Sequence, residues 1–485
     1  MTFTPRFGTD GWRGVLSQDF TTSSFVQVAS AILYTPFGRE ALAKRKKIYI
    51  GYDTRFLAPS YARLLAHLIV ERGGVPVLSS SFVTTPGLCC ALLEGEGAFG
   101  CMITASHNPP EYLGFKVKGP YGGSATNQMV SEIEEVLRNT PPPVRPPFFP
   151  ESLSGVTYDD FEEVHISRIR SFFSIRKKRD IIVHDAMYGA GQGIFRRLME
   201  PYQTSVVGIR WERNPGFSGV GPEPLPSRLG ELFRITRRKK ALFGFATDGD
   251  GDRIAVCDER GNFVSPQWVF ALNLLYLTEE MGLTGRVIRT VSTTDLVEKI
   301  SSDKGCATKV VPVGFKHIVP ELLRGDVLIA GEESGGIAIV PYLKERDGIV
   351  NALLLRELIY ARKKPLSELL KRVFKKYGEH HFTREDIPLS SKEDKERIQE
   401  ILQNQPPQEI GKEKVLSVDT TDGWKFLLSR GWLLLRFSGT EPLLRVYTEG
   451  DSFPLLKERL NWIETYLKTV LREEQFRPIQ NISRS

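Results

Sequence analysis

The sequence predicts a multidomain α/β protein built of mixed, mainly parallel sheets covered by helices and ending in a smaller α+β unit. Three observations lead there. Apolar, β-branched runs recur with amphipathic helical stretches between them: KKIYIGYD (46–53), GVPVLSS (74–80), AFGCMITAS (98–106), DIIVHDA (180–186), ALFGFATD (241–248) and RVIRTVST (286–293). Short runs of this kind, alternating with helices, are the pattern of strands buried on both faces. A chain of 485 residues, 41% of them hydrophobic, exceeds one ordinary core and allows three or four domains with clefts between them. Several runs also end at an aspartate or serine beside glycine, where open α/β sheets carry their ligand loops.

The proline run PPPVRPPFFP (141–150) can neither continue a helix nor pair in a central strand, because proline lacks the amide donor and fixes φ. It divides a first unit, 1–146, from a second, 147–258, which closes after an aspartate-rich loop. A third unit, 259–372, ends in the charged, helix-like region 362–385. The last, 373–485, carries strand-like WKFLLS and GWLLLRF before an amphipathic helix at 453–472. Basic stretch, strand and acidic turn recur near 46–55, 178–186 and 239–253, which hints at repeated α/β units, although any doubly wound domain gives that pattern.

The excess of 65 basic over 58 acidic residues, +7 in all, is spread over a large surface and suits anionic substrates. The clusters AKRKK (43–47), IRKKR (175–179) and TRRKK (236–240) precede apolar runs, as solvated loops or helix ends do. No nucleic-acid module or aromatic-rich basic stripe accompanies them, so nucleic acid is not an expected partner. Five cysteines, two of them adjacent at Cys89 and Cys90 and none in a C-x-x-C spacing, point to a reduced, cytoplasmic protein. No apolar stretch reaches the roughly 18 residues of a membrane span, and the N-terminus opens without an apolar signal core, so no membrane is expected either.

Chemistry concentrates in four loops. In ATDGDGDRIAV (246–256), Asp248, Asp250 and Asp252 alternate with glycines directly after an apolar strand. Glycine lets the backbone curl so that the three carboxylates converge, and oxygen-only ligation favours magnesium or calcium over zinc. Glu259 stands twelfth from Asp248, as in an EF-hand, but position six is Arg253 where that loop needs glycine, and the preceding segment is β-like. Three like charges this close repel unless a cation offsets them.

In TASHNPPEYLGFKVK (104–118), Ser106 ends a strand on a sharp turn set by two prolines. Taken alone, a capping or turn serine is the ordinary explanation. His107 and Lys116 are nearby candidates for proton transfer, and the absence of G-x-S-x-G disfavours acyl transfer. In LRFSGTEPLLRVYTEG (435–450), Ser438, Gly439 and Thr440 make a tight turn whose amides and hydroxyls, with Arg436 and Arg445, could fork onto a phosphate; a hairpin with surface arginines is the equal alternative. IAGEESGGIAI (329–339) sets Glu332 and Ser334 on a glycine-rich turn able to bond sugar hydroxyls, and VGFKHI (313–318) offers Lys316 beside His317.

Taken in order, FGTDGWRG (7–14), TASHNPPEYLGFK (104–116), DGDGDR (248–253), GEESGG (331–336) and RFSGTEPLLR (436–445) resemble the α-D-phosphohexomutase superfamily of phosphoglucomutases and phosphomannomutases. The resemblance spans nearly the whole chain. It implies three related α/β domains and a smaller C-terminal domain around a central cleft, each giving one loop. Ser106 then matches the phosphoserine and Asp248, Asp250 and Asp252 the magnesium ligands, with a phosphoserine oxygen completing the set. Arg253 would offset their charge, and Lys116 and His107 would lie beside the transferring phosphate, Lys116 being the first candidate for proton transfer. Glu332 and Ser334 fall on the sugar-reading pair. Arg436, Ser438, Gly439, Thr440 and Arg445 fall on the distal phosphate site, and Arg13 and Lys316 on further cleft contacts.

The activity so implied is phosphoglucomutase, with glucose 1,6-bisphosphate as activator and intermediate, in a monomer or homodimer. GEES resembles the glucose-using members more than the GEMS of dual-specificity phosphomannomutases or the GEQS of phosphoglucosamine mutases. Gly336 departs from relatives that carry histidine there. A magnesium-dependent phosphatase and a non-catalytic sugar-phosphate-binding protein are the alternatives from other classes.

Overall fold

The computed structural model describes residues 5–7, 11–143, 148–150, 152–438 and 443–471. Four sheets follow one another along the chain. The first holds β1 (Trp12–Val15), β2 (Lys47–Tyr52), β3 (Val75–Ser79), β4 (Phe99–Ile103), β5 (Tyr112–Gly119), β6 (Gly123–Ser124) and β7 (Thr157–Asp159), ordered β1-β5-β4-β2-β3-β7 with β6 on β5. The second holds β8 (Asp180–Asp185), β9 (Thr204–Ile209), β10 (Phe243–Thr247), β11 (Ile254–Cys257) and β12 (Phe263–Val264), ordered β12-β11-β10-β8-β9. The third holds β13 (Arg286–Thr290), β14 (Thr308–Val311), β15 (Val327–Gly331) and β16 (Ile337–Ile339), ordered β14-β13-β15-β16.

The C-terminal part is antiparallel. β17 (His381–Pro388), β20 (Ser417–Asp419), β21 (Trp424–Leu428), β22 (Gly431–Phe437) and β23 (Leu443–Gly450) are ordered β17-β23-β22-β21-β20, and β18 (Glu409–Ile410) and β19 (Glu413–Lys414) form a separate ribbon. The helix Phe453–Leu471 packs on this sheet through Leu460, Ile463 and Leu467.

All six apolar runs named above form central strands. What periodicity did not reveal is the return strand at one margin of each α/β sheet. β4 turns back as antiparallel β5, β10 as β11 and β15 as β16. This strand, turn and return strand is the repeated unit, and it differs from the repeat suggested by the basic stretches: 178–186 and 239–253 contain β8 and β10 of one and the same sheet. The first sheet also takes its edge strand β7 from beyond residue 146, since Thr157–Asp159 pairs with β3. The proline run therefore interrupts the chain without ending the sheet.

The apolar core is continuous across the second and third sheets. Ile182, Phe245, Val269, Leu296, Leu328 and Leu353 belong to one buried cluster. The helix Gly348–Arg362, buried on every side from Gly348 to Ile359, fills the space with the helix Pro266–Leu275. Asp347 caps the first of these helices, accepting the amides of Ile349 and Val350 at 2.9 and 3.1 Å. Its other oxygen lies 2.7 Å from His165 Nε2 on the helix Phe161–Phe172. A boundary near 258 thus divides the chain but not the core. The contact of the third sheet with the fourth is smaller, an apolar patch of Val291, Trp432, Leu434 and Tyr447.

All five cysteines are buried and free of disulfides. Among the described residues no helix is long and apolar enough to cross a membrane. Lys44–Lys47, Lys177–Arg179 and Arg237–Lys240, the bulk of the three basic clusters, are exposed.

His184 on β8 stacks on Phe245 at 4.2 Å and lies 3.2 Å from Thr247 Oγ1. Burial pushes its imidazole down to about 3 from the usual 6.5. The unfolded chain therefore binds an extra proton in between, and stability present above 6.5 is lost as pH falls toward the folded value. His184→Gln, which can still bond Thr247 but does not titrate, should flatten the acid side of the urea-midpoint profile, by up to ~1.4 kcal/mol per pH unit.

Candidate active site

Ser106 sits at the head of the β4–β5 turn with φ of +52°. A left-handed conformation costs a residue with a Cβ on the order of 1–2 kcal/mol and persists only where its surroundings enforce it. The enforcement comes from Arg55. Its buried guanidinium donates from Nη2 to the carbonyls of Ser106 (2.7 Å) and Asn108 (2.6 Å), and from Nη1 to those of Pro109 (2.8 Å) and Tyr112 (3.0 Å). One side chain thus holds four carbonyls of a single turn. Asp53 lies 3.2 Å from Arg55 Nε and accepts the Thr104 hydroxyl at 2.6 Å, while Thr104 Oγ1 accepts the Ser106 amide at 2.8 Å. Burial raises the Asp53 carboxyl to about 6, with Arg55 and Thr104 pulling the other way. Sequence reasoning gave Arg55 no role. The signal was there, since YDTR follows β2 at the same strand-end position as the other loops.

The β10–β11 turn brings its three aspartates together. All are fully buried, and one oxygen from each lies within 4.8 Å of the others. Asp248 Oδ1 accepts the amides of Asp252 and Arg253 at 3.1 and 3.2 Å, and Asp248 Oδ2 accepts the Ser106 hydroxyl at 2.8 Å. Asp250 Oδ2 accepts from Lys116 Nζ at 2.8 Å and from the Thr85 hydroxyl at 2.5 Å. Asp252 Oδ2 lies 2.8 Å from Arg346 Nη2 and 3.3 Å from Lys116 Nζ. Gly249 permits the approach of the two loops, for a Cβ there would lie 2.3 Å from the Ser106 carbonyl oxygen.

Burial, and then the charges of Asp252 and Asp250, hold the Asp248 carboxyl well above the usual carboxylate range. Asp252 Oδ1 is buried with no hydrogen-bond partner among the described residues. An orphaned carboxylate oxygen in an all-oxygen cluster beside a serine hydroxyl fits a hard dication. Lys116 and Arg346 already offset part of the charge that the sequence alone would leave to a metal. The EF-hand alternative is settled by Glu259, whose carboxylate accepts the Ser367 amide at 3.2 Å instead of facing the cluster.

The β15–β16 turn joins this cluster. Arg253 and Gly336 form an isolated antiparallel bridge, and the Ile254 amide donates to the Gly335 carbonyl at 3.1 Å. Burial pushes the Glu332 carboxyl up to about 7, against the pull of Arg346. Ser334 is half-buried in the turn beside it. A Cβ at Gly336 would meet Arg346 Cδ at 2.6 Å. The small residue here therefore makes room for Arg346, which stacks over the Phe315 ring at 4.5 Å and reaches Asp252. Arg346 was not singled out from the sequence, where it lies beyond the glycine-rich loop.

Arg436 and Arg445 are direct cross-strand partners on β22 and β23 and so share one face of the last sheet. Arg436 Nε pairs with Asp422 at 2.7 Å, and Arg445 Nε lies 3.8 Å from Asp386. Arg384, paired to both oxygens of Asp386 and stacked over Tyr447, feels the charge of Glu333 on the third-sheet turn. Ser438 follows β22 and bonds Leu443 through its amide at 2.9 Å. Gly439 and Thr440 lie outside the described residues. Lys316 opens the helix Phe315–Leu322, and its neighbour His317 lies in the field of Lys316, Asp422 and Arg436.

Arg13 on β1 donates to Asn108 Oδ1 at 2.6 Å and so reaches the Ser106 turn. His107 is half-buried, and desolvation, then Arg253 and Arg13, hold its imidazole well below the usual range.

Models of four phosphoglucomutase/phosphomannomutase domains match in order: alpha/beta/alpha domain I over residues 4–142, domain II over 163–261, domain III over 265–377 and the C-terminal domain over 387–460. A phosphoglucomutase/phosphomannomutase of Thermococcus kodakarensis is 28% identical over 467 residues, 94% of this chain and 96% of its own. A phosphoglucosamine mutase of Caldicellulosiruptor bescii is 27% identical over 458 residues, 93% and 96% of the two chains. The crystal structure of a protein named "putative phosphomannomutase" from Thermus thermophilus superposes with a TM-score of 0.82 at 32% identity, covering 96% of this chain and all of that one.

Two outcomes follow from this geometry. Arg55→Lys, which cannot fork onto four carbonyls, should lower kcat at least about tenfold while the circular dichroism spectrum stays that of the wild type. Millimolar magnesium should raise the thermal midpoint by linkage, and Asp250→Asn should reduce that rise; differential scanning fluorimetry with and without a chelator reads both.

Proposed function

Because the chain belongs to the phosphoglucomutase/phosphomannomutase family of phosphohexomutases, which are intramolecular phosphotransferases, we propose that it interconverts glucose 1-phosphate and glucose 6-phosphate through phosphorylated Ser106. The observation that carries this reading is the Ser106 hydroxyl, 2.8 Å from a carboxylate of the three-aspartate cluster and held there by a strained turn. Phosphoserine delivers its phosphoryl group in line to the free sugar hydroxyl, the resulting glucose 1,6-bisphosphate turns end over end, and the same serine takes back the other phosphate.

Asp248, Asp250 and Asp252 would hold magnesium, which when bound supplies positive charge against the phosphoryl oxygens. Arg253 adds charge from the same turn. Lys116, bonded to Asp250 and Asp252, is the first candidate to exchange a proton with the reacting hydroxyl. His107, next to Ser106 in the same turn, is the second candidate. Glu332 and Ser334 read the sugar hydroxyls, and Arg436 and Arg445, with the turn Ser438–Thr440, hold the phosphate that is not reacting, with Arg13 and Lys316 lining the cleft between.

Glucose is favoured by the Glu332-Glu333-Ser334 sequence of the sugar loop. The relatives carrying the name phosphoglucosamine mutase, at a similar identity to the phosphoglucomutase/phosphomannomutase, favour glucosamine phosphate as the second reading, with mannose phosphate as the third. A coupled assay with glucose 1-phosphate, magnesium and catalytic glucose 1,6-bisphosphate tests the proposal, run in parallel with mannose 1-phosphate and glucosamine 1-phosphate. Wild-type protein should form glucose 6-phosphate fastest and Ser106→Ala should lose at least about 10³-fold. Release of inorganic phosphate in place of the isomer would identify a phosphatase, and no turnover of any sugar would leave only a binding protein.

A further inference from the structure

A mutase of this kind makes a contradictory demand on its distal clamp. The clamp must hold a phosphate during transfer and then let it go, so that the bisphosphate can turn. Asp422 is placed to resolve this. It lies in the turn ahead of β21, and its Oδ2 accepts Arg436 Nε at 2.7 Å. That Nε edge is one of the two forks by which a guanidinium grips phosphate. The same Oδ2 accepts the amide of Val313, at 2.9 Å, from the third-sheet loop that leads into Lys316. Asp422 therefore ties the clamp arginine to the neighbouring domain through one oxygen.

Several features suit it to exchange rather than permanent pairing. The Asp422 and Arg436 side chains are 25% and 19% exposed, so a ligand in the cleft can reach both. A cavity of about 460 Å³ bounded by Asp422, Arg436, Trp424 and Gln399 gives the carboxylate room to swing away. The turn does not depend on it, since Asp419 holds the turn by accepting from the amide and hydroxyl of Thr421 at 2.8 and 2.6 Å. Arg445 is held differently, with its Nε 3.8 Å from an Asp386 that is committed to Arg384.

We infer that Asp422 is a positioning residue that exchanges with the substrate's distal phosphate on Arg436, covering the guanidinium when the phosphate leaves and freeing the Val313 amide when it returns. This rests on the phosphomutase reading. Each departure of the phosphate would otherwise leave the guanidinium without an anionic partner, and the internal carboxylate supplies one. It thereby weakens static binding in favour of release. The exchange also reports the state of the clamp to the third domain, because filling it breaks one of the hydrogen bonds that join the two.

Asp422→Asn keeps an acceptor for Val313 and loses the charge; Asp422→Ala loses both. In a Ser106→Ala background, where turnover cannot obscure binding, calorimetry should show glucose 6-phosphate binding about 3- to 10-fold tighter to both variants. With Ser106 intact, KM and kcat should fall together. Unchanged or weaker binding, or a fall in kcat with KM unmoved, would overturn the exchange and leave Asp422 a structural tie. If the wild type turns over no hexose phosphate, the mutase reading fails on its own. Inorganic phosphate titrated into the wild type and Asp422→Asn then still decides whether the carboxylate competes for Arg436, tighter binding to the variant supporting it and equal binding refuting it.

Discussion

Three carboxylates buried beside a serine hydroxyl are the constraint around which the other loops are arranged. Buried charge of one sign is among the costliest things a fold can contain unless it is paired. Here the pairing is drawn from outside the turn that creates the need. Lys116 comes from β5 of the first sheet and Arg346 from the segment beyond β16 of the third. A loop that carries the chemistry of one domain is thus completed by cations from the domains on either side of it. The site exists only when the sheets are assembled.

The assembly follows from a plain topological device. A parallel strand that turns back as its own antiparallel neighbour places a short loop at the sheet margin, and each of the first three sheets does this, between β4 and β5, β10 and β11, and β15 and β16. Turns of this sort are narrow enough to approach one another. Gly249 lets the aspartate turn touch the Ser106 turn, and Gly336 leaves room for Arg346 beside the β15–β16 turn. The strain at Ser106 is met by Arg55, whose guanidinium is given over mostly to main-chain carbonyls of the turn and to Asp53.

Much of this was legible in the sequence. The parallel strands announce themselves because burial on both faces makes them uniformly apolar, and the aspartate turn because alternating Asp and Gly has few other uses. The return strands were harder. β5 reads YLGFKVKG, and its buried lysines look like a polar face until the carboxylates they serve are known: Lys116 faces the aspartates, and Lys118 faces Glu345 at 2.7 Å. Arg55 and Arg346 were missed for the same physical reason. Each acts across a domain junction or within a turn, and no local pattern encodes a partner about 50 to 100 residues away. The fused core of the second and third sheets was equally hidden, since a helix buried on every side, such as Gly348–Arg362, gives no one face that shows which sheet it covers.

That fused core sets how the molecule comes apart. Cooperative units of unfolding follow contiguous apolar contacts rather than sheet boundaries. The second and third sheets share a single cluster, whereas the last sheet meets the third in a smaller patch around Val291, Trp432, Leu434 and Tyr447 and a fringe of polar ties. The β10–β11 turn and the β15–β16 turn therefore persist or melt as one body. The arginine pair on β22 and β23 belongs to another, joined to the third sheet by the smaller patch. Opening the cleft from that side leaves the charged centre assembled.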